Sequence, residues 1–247
     1  ATYALFRDGS WSVEAAEDLG HVGWDNRITT DADGRAHMSG IDPRGFSGNG
    51  LEYYSKNDSG QWSVERVPSG TLEYTFATSI AIDPNGEPHI SYYDDDDKNF
   101  MIASRDASGW SVSPIDTDGD AGYFSELVID DSGRFHISYM EKTSDSTGTV
   151  KYATRGSGET AWTISTVGEL AKLTFGFSGA RHSTSIALDS LGRPWVAFGD
   201  RNHIYVAVPD GDGWASVLAF DSGFQTLGQL VTLALDVEDK PHIAYFQ

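Results

Sequence analysis

The chain has no cysteine, which excludes disulfides, thiolate metal sites and thiol nucleophiles. It is poor in positive charge. Its 17 Lys and Arg face 37 Asp and Glu, and a formal charge of −20 would repel phosphate backbones and anionic lipid surfaces. Nucleic acid is therefore not an expected partner. Membrane insertion is not expected either, because no apolar run approaches the roughly 18 residues a spanning helix needs. Sustained helical periodicity is missing, as are a Gly-rich phosphate loop, a G-x-S-x-G elbow and a metalloprotease helix. The chain starts at Ala1 without Met or a signal-peptide pattern, which suits a mature exported protein or a trimmed one; the expected location is secreted or periplasmic. Cations and neutral ligands remain open.

What is present is one unit repeated five times. "SIAIDPNGEPHISYYD" (79–94) recurs as "ELVIDDSGRFHISYME" (126–141), "SIALDSLGRPWVAFGD" (185–200), "TLALDVEDKPHIAYFQ" (232–247) and, degraded, "RITTDADGRAHMSGID" (27–42). The other half of the unit is an apolar strand, a turn and a tryptophan. Trp11, Trp62, Trp110, Trp162 and Trp214 are one position seen five times, at spacings of 51, 48, 52 and 52. Each unit holds four runs of strand length broken by D-x-x-G or S-G turns, which reads as a four-stranded meander. In the turn the Asp bonds its own following backbone and the Gly takes the left-handed position, so each hairpin is specified locally.

Four-stranded sheets at a period near 50 residues, with small residues such as Ala81, Ala187 and Ala234 on the first strand, describe an all-β fold, a five-bladed β-propeller. The chain opens in the third strand of a unit and closes after the second strand of another. The expected arrangement is one domain, 1–247, with the last blade shared by 1–16 and 230–247 and the ring closed by strands from both termini. The string "DDDDK" (94–98) has the letters of an enteropeptidase site, but it lies in register with the matching loops of the other units and belongs to the protein.

These repeats resemble those of bacterial exported propellers with sialidase-like or lectin-like blades, over the whole chain. The resemblance implies the fold and no particular activity. The S-x-D-x-G-x-T-W box of sialidases and the D-x-D-x-D-G calcium string of integrin-type propellers are both absent.

A position repeated around a ring is kept by the blade. His37, His89, His136 and His242 and the five tryptophans are therefore read as structural. Candidate chemistry gathers on the face where the second strand passes to the third and the fourth to the next unit, called the top here. Asp42, Asp94, Glu141 and Asp200 end the second strands; they either cap their turns or form an acidic rim that binds a cation such as calcium or orients sugar hydroxyls. Asp95 to Asp97 read as a solvated turn, since consecutive side chains of an extended run point to opposite sides. Trp24, Tyr74, Tyr123, Phe175 or Phe177, and Phe224 occupy the top loops, either plugging the core or offering stacking platforms to sugars. The longest connection, 168–183, ends in Arg181 and His182. His21, His182 and His203 stand outside the repeat register as weak metal candidates, and Glu141, Asp200 and His182 are candidates for acid–base catalysis. Arg27 and Glu126 share a register on first strands and could pair across the channel mouth. The resulting expectation is a monomer whose top face binds a glycan or other small ligand. A glycan-cleaving hydrolase or lyase in the same cleft is the alternative, and a protein-interaction scaffold the third.

Overall fold

The computed structural model describes residues 1–16, 24–42, 50–69, 72, 78–171, 173, 184–223 and 229–246, with backbone alone at 24, 25, 229 and 246. Twenty strands and no helix are formed among them. An N-terminal hairpin is built from β1 (Thr2–Arg7) and β2 (Ser10–Ala15). The first blade follows with β3 (Trp24–Thr30), β4 (Ala36–Asp42), β5 (Gly50–Lys56) and β6 (Trp62–Arg66). The second has β7 (Ser79–Ile82), β8 (Pro88–Asp94), β9 (Asn99–Asp106) and β10 (Gly109–Asp116). The third has β11 (Asp120–Ile129), β12 (Phe135–Lys142), β13 (Thr147–Arg155) and β14 (Thr163–Ala171), and the fourth β15 (Thr184–Leu188), β16 (Pro194–Gly199), β17 (His203–Asp210) and β18 (Gly213–Asp221). A C-terminal hairpin, β19 (Gln229–Leu235) and β20 (Pro241–Phe246), ends the described chain. Each blade is an antiparallel meander with its strands in sequence order.

The turns form as the repeats require. Asp83 Oδ1 accepts from the Asn85 and Glu87 amides at 2.9 and 2.8 Å, and Gly86 lies at φ 83°. The last repeat has Asp239 where the others have Gly, and it still adopts φ 61°. Below each of three turns a buried histidine ties the hairpin to the third strand. His37 Nε2 is 3.3 Å from Asp31 and its Nδ1 2.5 Å from the Tyr53 hydroxyl; His136 sits likewise between Asp130 and Tyr152. His89 Nδ1 is 2.8 Å from Ser104 Oγ, but Asp83 is 3.7 Å from its Nε2, too far for a hydrogen bond.

Neighbouring blades are stitched by recurring contacts. Near the axis the Leu127, Ile186 and Leu233 amides donate across to Ser79 Oγ, Glu126 Oε2 and Ser185 Oγ, each at 2.9 Å. One layer out, hydroxyl pairs join Ser39 to Thr78, Ser91 to Ser125 and Ser138 to Thr184. Towards the rim, the tryptophans meet the preceding sheet edge to face: Trp62 on Tyr3, Trp110 on Tyr53 and Trp214 on Tyr152, with centroids 5.2, 5.3 and 5.1 Å apart. Their indole N–H groups donate to Glu14, Glu65 and Ser165 of that sheet. Trp162 lacks this partner; the Arg155 guanidinium lies 4.4 Å from its ring centroid instead.

β1–β2 and β19–β20 are two separate two-stranded sheets, and β20 is not hydrogen-bonded to β1. Each hairpin has kept one neighbour. β1–β2 meets the first blade through Tyr3, Glu14 and Ala16, and β19–β20 meets the fourth through Val231 and Leu233. The surfaces that a shared blade would cover are open, with Trp11 69% and Val217 66% exposed.

Candidate functional site

The top face begins where second strands end. In the second blade Asp94 terminates β8, and its Oδ1 accepts from the Asp96 amide at 3.1 Å. Asp95 to Lys98 form a turn, with Asp96 and Asp97 exposed and Lys98 at φ 57°. Burial raises the Asp94 pKa above its ordinary value, against the opposing effect of amide bonds from Asp96 and Asp97. No ion pair forms between Asp94 and the described cationic side chains.

The equivalent carboxylate in the third blade is engaged differently. Glu141 lies one residue inside β12, and its Oε2 is 3.1 Å from Lys151 Nζ on β13. Lys151 also donates to Asp116 Oδ2 at 2.9 Å, and Tyr139 donates to the same oxygen at 2.7 Å. Burial pushes the Asp116 pKa up, but the Tyr139 hydroxyl, the Asp118 amide and Lys151 together bring it below the usual value. Gly119, at φ 80°, closes over this cluster; a Cβ there would lie 2.3 Å from Glu141 Oε1. The group locks the third blade to the end of β10 in the second. Lys151→Met is expected to cost about 3–5 kcal/mol, because it strands a buried carboxylate. Adding Asp116→Val should recover part of that loss; chemical denaturation of the two variants checks both.

In the fourth blade Asp200 follows β16 and is buried. Its Oδ1 accepts from the Asn202 and His203 amides at 2.7 and 2.9 Å, and His203 Nδ1 lies 3.0 Å from the same atom. His203 Nε2 is 3.8 Å from Asp221, which sets the imidazole between two carboxylates. No three His, Cys, Asp or Glu side chains among the described residues converge as metal ligands. His21 and His182 lie outside the described residues, as do Tyr74, Phe175, Phe177, Arg181 and Phe224; Trp24 is described by its backbone, paired with Ile41 in β3.

Tyr123 is the one top-loop aromatic whose side chain is described. It is buried, with its ring centroid 4.4 Å from that of Tyr93, and it donates at 3.0 Å to the Tyr93 hydroxyl, which donates at 2.6 Å to Asp120. That is a plug in the core top, closed to a stacking sugar. Asp42 ends β4, half-buried, opposite Gly50. Arg27 and Glu126 form no close ion pair: Arg27 donates to the Asn26 carbonyl, while Glu126 accepts the Ile186 amide and is held above its ordinary pKa by burial, against a weaker attraction from the Arg27 charge.

At the opposite end of the axis a cavity of about 200 Å³ is lined by the turn aspartates Asp31, Asp83 and Asp130 and by Ile82, Pro84 and Ile129. One oxygen of each aspartate is already bonded to its own turn, so the cavity offers a ligand little.

No family profile and no curated protein sequence matches the chain. Solved structures do resemble it. A protein of unknown function from Dyadobacter fermentans is 12% identical at TM-score 0.58, covering 91% of this chain and 75% of that one. The SapL1 lectin in complex with α-methyl fucoside is 13% identical at TM-score 0.57, covering 91% and 73%. A glycoside hydrolase family 43 β-1,3-galactosidase with galactodeoxynojirimycin is 10% identical at TM-score 0.52, covering 90% and 93%. At such identities the likeness is one of fold, and the fold is that of a β-propeller.

Proposed function

We propose that the chain is a secreted or periplasmic, monomeric five-bladed propeller, closed by its two terminal hairpins, whose top face binds carbohydrate in a lectin-like manner. The observation that carries binding over catalysis is the engagement of both candidate catalytic carboxylates. Glu141 is paired with Lys151, and Asp200 is spent on loop amides and His203. A glycosidase needs one carboxyl able to give a proton and another able to attack or activate water. Asp94 lacks an ion-pair partner among the described residues, and burial raises its pKa, which suits a hydroxyl-binding group. The solved neighbours named with sugars or a sugar mimic, a lectin and a galactosidase, support carbohydrate as the ligand class.

Cleavage is the second reading, favoured by the galactosidase likeness over 90% of this chain and by the raised pKa of Asp94, which a general acid would share. A glycan panel read for both retention and release separates the two. Binding without new reducing ends or unsaturated products is the expected result. Turnover that Glu141→Gln or Asp200→Asn reduces by orders of magnitude, with binding kept, would establish the enzyme instead.

A further inference from the structure

Tyr92 is fully buried, and its hydroxyl has no hydrogen-bond partner. A buried, unpaired hydroxyl costs stability, so its presence calls for a reason. The third blade shows what the position does when it is satisfied. Tyr139 is the counterpart of Tyr92, and its hydroxyl donates to Asp116 of the preceding blade, beside Lys151 and Glu141. Ladder pairing fixes the correspondence: Tyr139 faces Lys151 in β13, and Tyr92 faces Met101 in β9.

At the seam between the first and second blades every partner in that cluster has changed except the acid. Met101 replaces the lysine, Asp94 stands for Glu141, and Pro68, six residues after Trp62 as Asp116 is six after Trp110, stands for Asp116. Pro68 carries no side-chain acceptor, and Val67 and Leu72 pack with Tyr92 in one apolar cluster, so no described side chain of the preceding blade accepts from the tyrosine. Tyr92 and Asp94 are two residues apart on β8 and share its face, and the Asp94 charge reaches the Tyr92 hydroxyl and disfavours its ionisation. Among the described residues the seam therefore holds a donor without an acceptor and a carboxylate without a cation.

We propose that this seam is a ligand subsite for one sugar hydroxyl, which accepts from Tyr92 and donates to Asp94. This rests on the carbohydrate reading and names where it is realised. A bare cation would satisfy Asp94 and leave the Tyr92 hydrogen unbonded; a hydroxyl, with one hydrogen and two lone pairs, satisfies both. Asp94 is half-buried and Tyr92 fully buried two residues before it on β8, so the sugar hydroxyl would have to reach inward past Asp94 from a ring held at the top face.

The test uses the full chain, one glycan bound by the wild type, and calorimetric titration with a parallel thermal melt. Tyr92→Phe and Asp94→Asn are each expected to weaken binding about tenfold, the loss of one hydrogen bond. Tyr92→Phe should leave the melting temperature equal or higher, because it deletes an unpaired buried hydroxyl. Met101→Lys should supply the ammonium that the third blade carries and weaken binding by at least as much. Unchanged affinity in Tyr92→Phe and Asp94→Asn, with the wild type binding, would overturn the subsite and leave the carbohydrate reading standing. So would a melting temperature several degrees lower in Tyr92→Phe, which would make the hydroxyl structural. Binding abolished by chelator would overturn it in favour of a cation, and a wild type that binds no glycan would remove both proposals.

Discussion

Trp11→Ala is expected to destabilise the protein by about 3–5 kcal/mol, the range for truncating a buried large aromatic, although Trp11 is 69% exposed in the structure. The expectation comes from the ladder of tryptophans. Trp62, Trp110 and Trp214 each lie edge-on against a third-strand tyrosine of the preceding sheet, Tyr3, Tyr53 and Tyr152. The rung on the fourth sheet is missing: Trp11 against Val206 of β17, beside Val217, which holds the place of Glu14, Glu65 and Ser165. In a closed fifth blade Trp11 fills that slot and covers Val217. Urea unfolding of Trp11→Ala beside Val237→Ala, a fully exposed position expected to change by no more than about 0.5 kcal/mol, gives the comparison. Should both variants unfold alike, Trp11 is a surface residue in solution and the rung does not form. Deleting residues 1 to 12 is a harsher version with the same sign, but it also removes Tyr3 from Trp62 and so tests closure less cleanly.

Acid is expected to unfold the protein from its lower face. Burial holds the His89 pKa down at about 4 against an ordinary 6.5, and the partial attraction of Asp83 does not offset it. The folded state therefore keeps His89 neutral while the unfolded chain takes up a proton. Stability from this source is complete above pH 6.5, falls as pH drops, and stops falling below about 4, with a loss of about 3 kcal/mol. His136 is lowered in the same direction, by burial first. Asp31 extends the decline: burial pushes its pKa up, but the Arg35 amide and guanidinium and His37 bring it down to about 2, so its contribution is present above 3.8 and is lost as pH falls through about 2. Denaturant melts between pH 7 and pH 4 should show the slope, and His89→Gln should flatten it. A variant with the wild-type slope would show that His89 is not the proton acceptor.

The blades were legible because each turn carries its own instructions, an aspartate to bond the backbone and a residue able to take positive φ. The strands between them alternate in registers that recur every 50 residues or so. Less legible were the bulges of β11 and β19, which set Phe124 and Leu230 at φ 54° and 61°, because neither residue type announces a left-handed backbone. The ion cluster of Lys151 was missed since its members come from three strands of two blades. Its signal was there in the repeat columns, where Lys151 stands against Glu52, Met101 and Tyr205 as the one basic residue. The rim carboxylates were found by register, but register could not distinguish Asp94 from Glu141 and Asp200. That difference lies in which cation, amide or imidazole each neighbour supplies.

The central claim is that both ends of the chain complete one blade, and an engineered disulfide tests it directly, because the chain has no cysteine to interfere. The ladders Ser39 to Tyr53 and Ser138 to Tyr152 set the register, so Ala244 should face Tyr3 and Ile243 should face Ala4. Ala4→Cys with Ile243→Cys places two thiols on adjacent strands, about 4.5–5.5 Å apart between Cα atoms and within disulfide reach. Mild oxidation is predicted to give an intramolecular bond in the monomer and a higher melting temperature. Thiols that stay reduced, or bonds found only between two copies, would contradict closure within the chain.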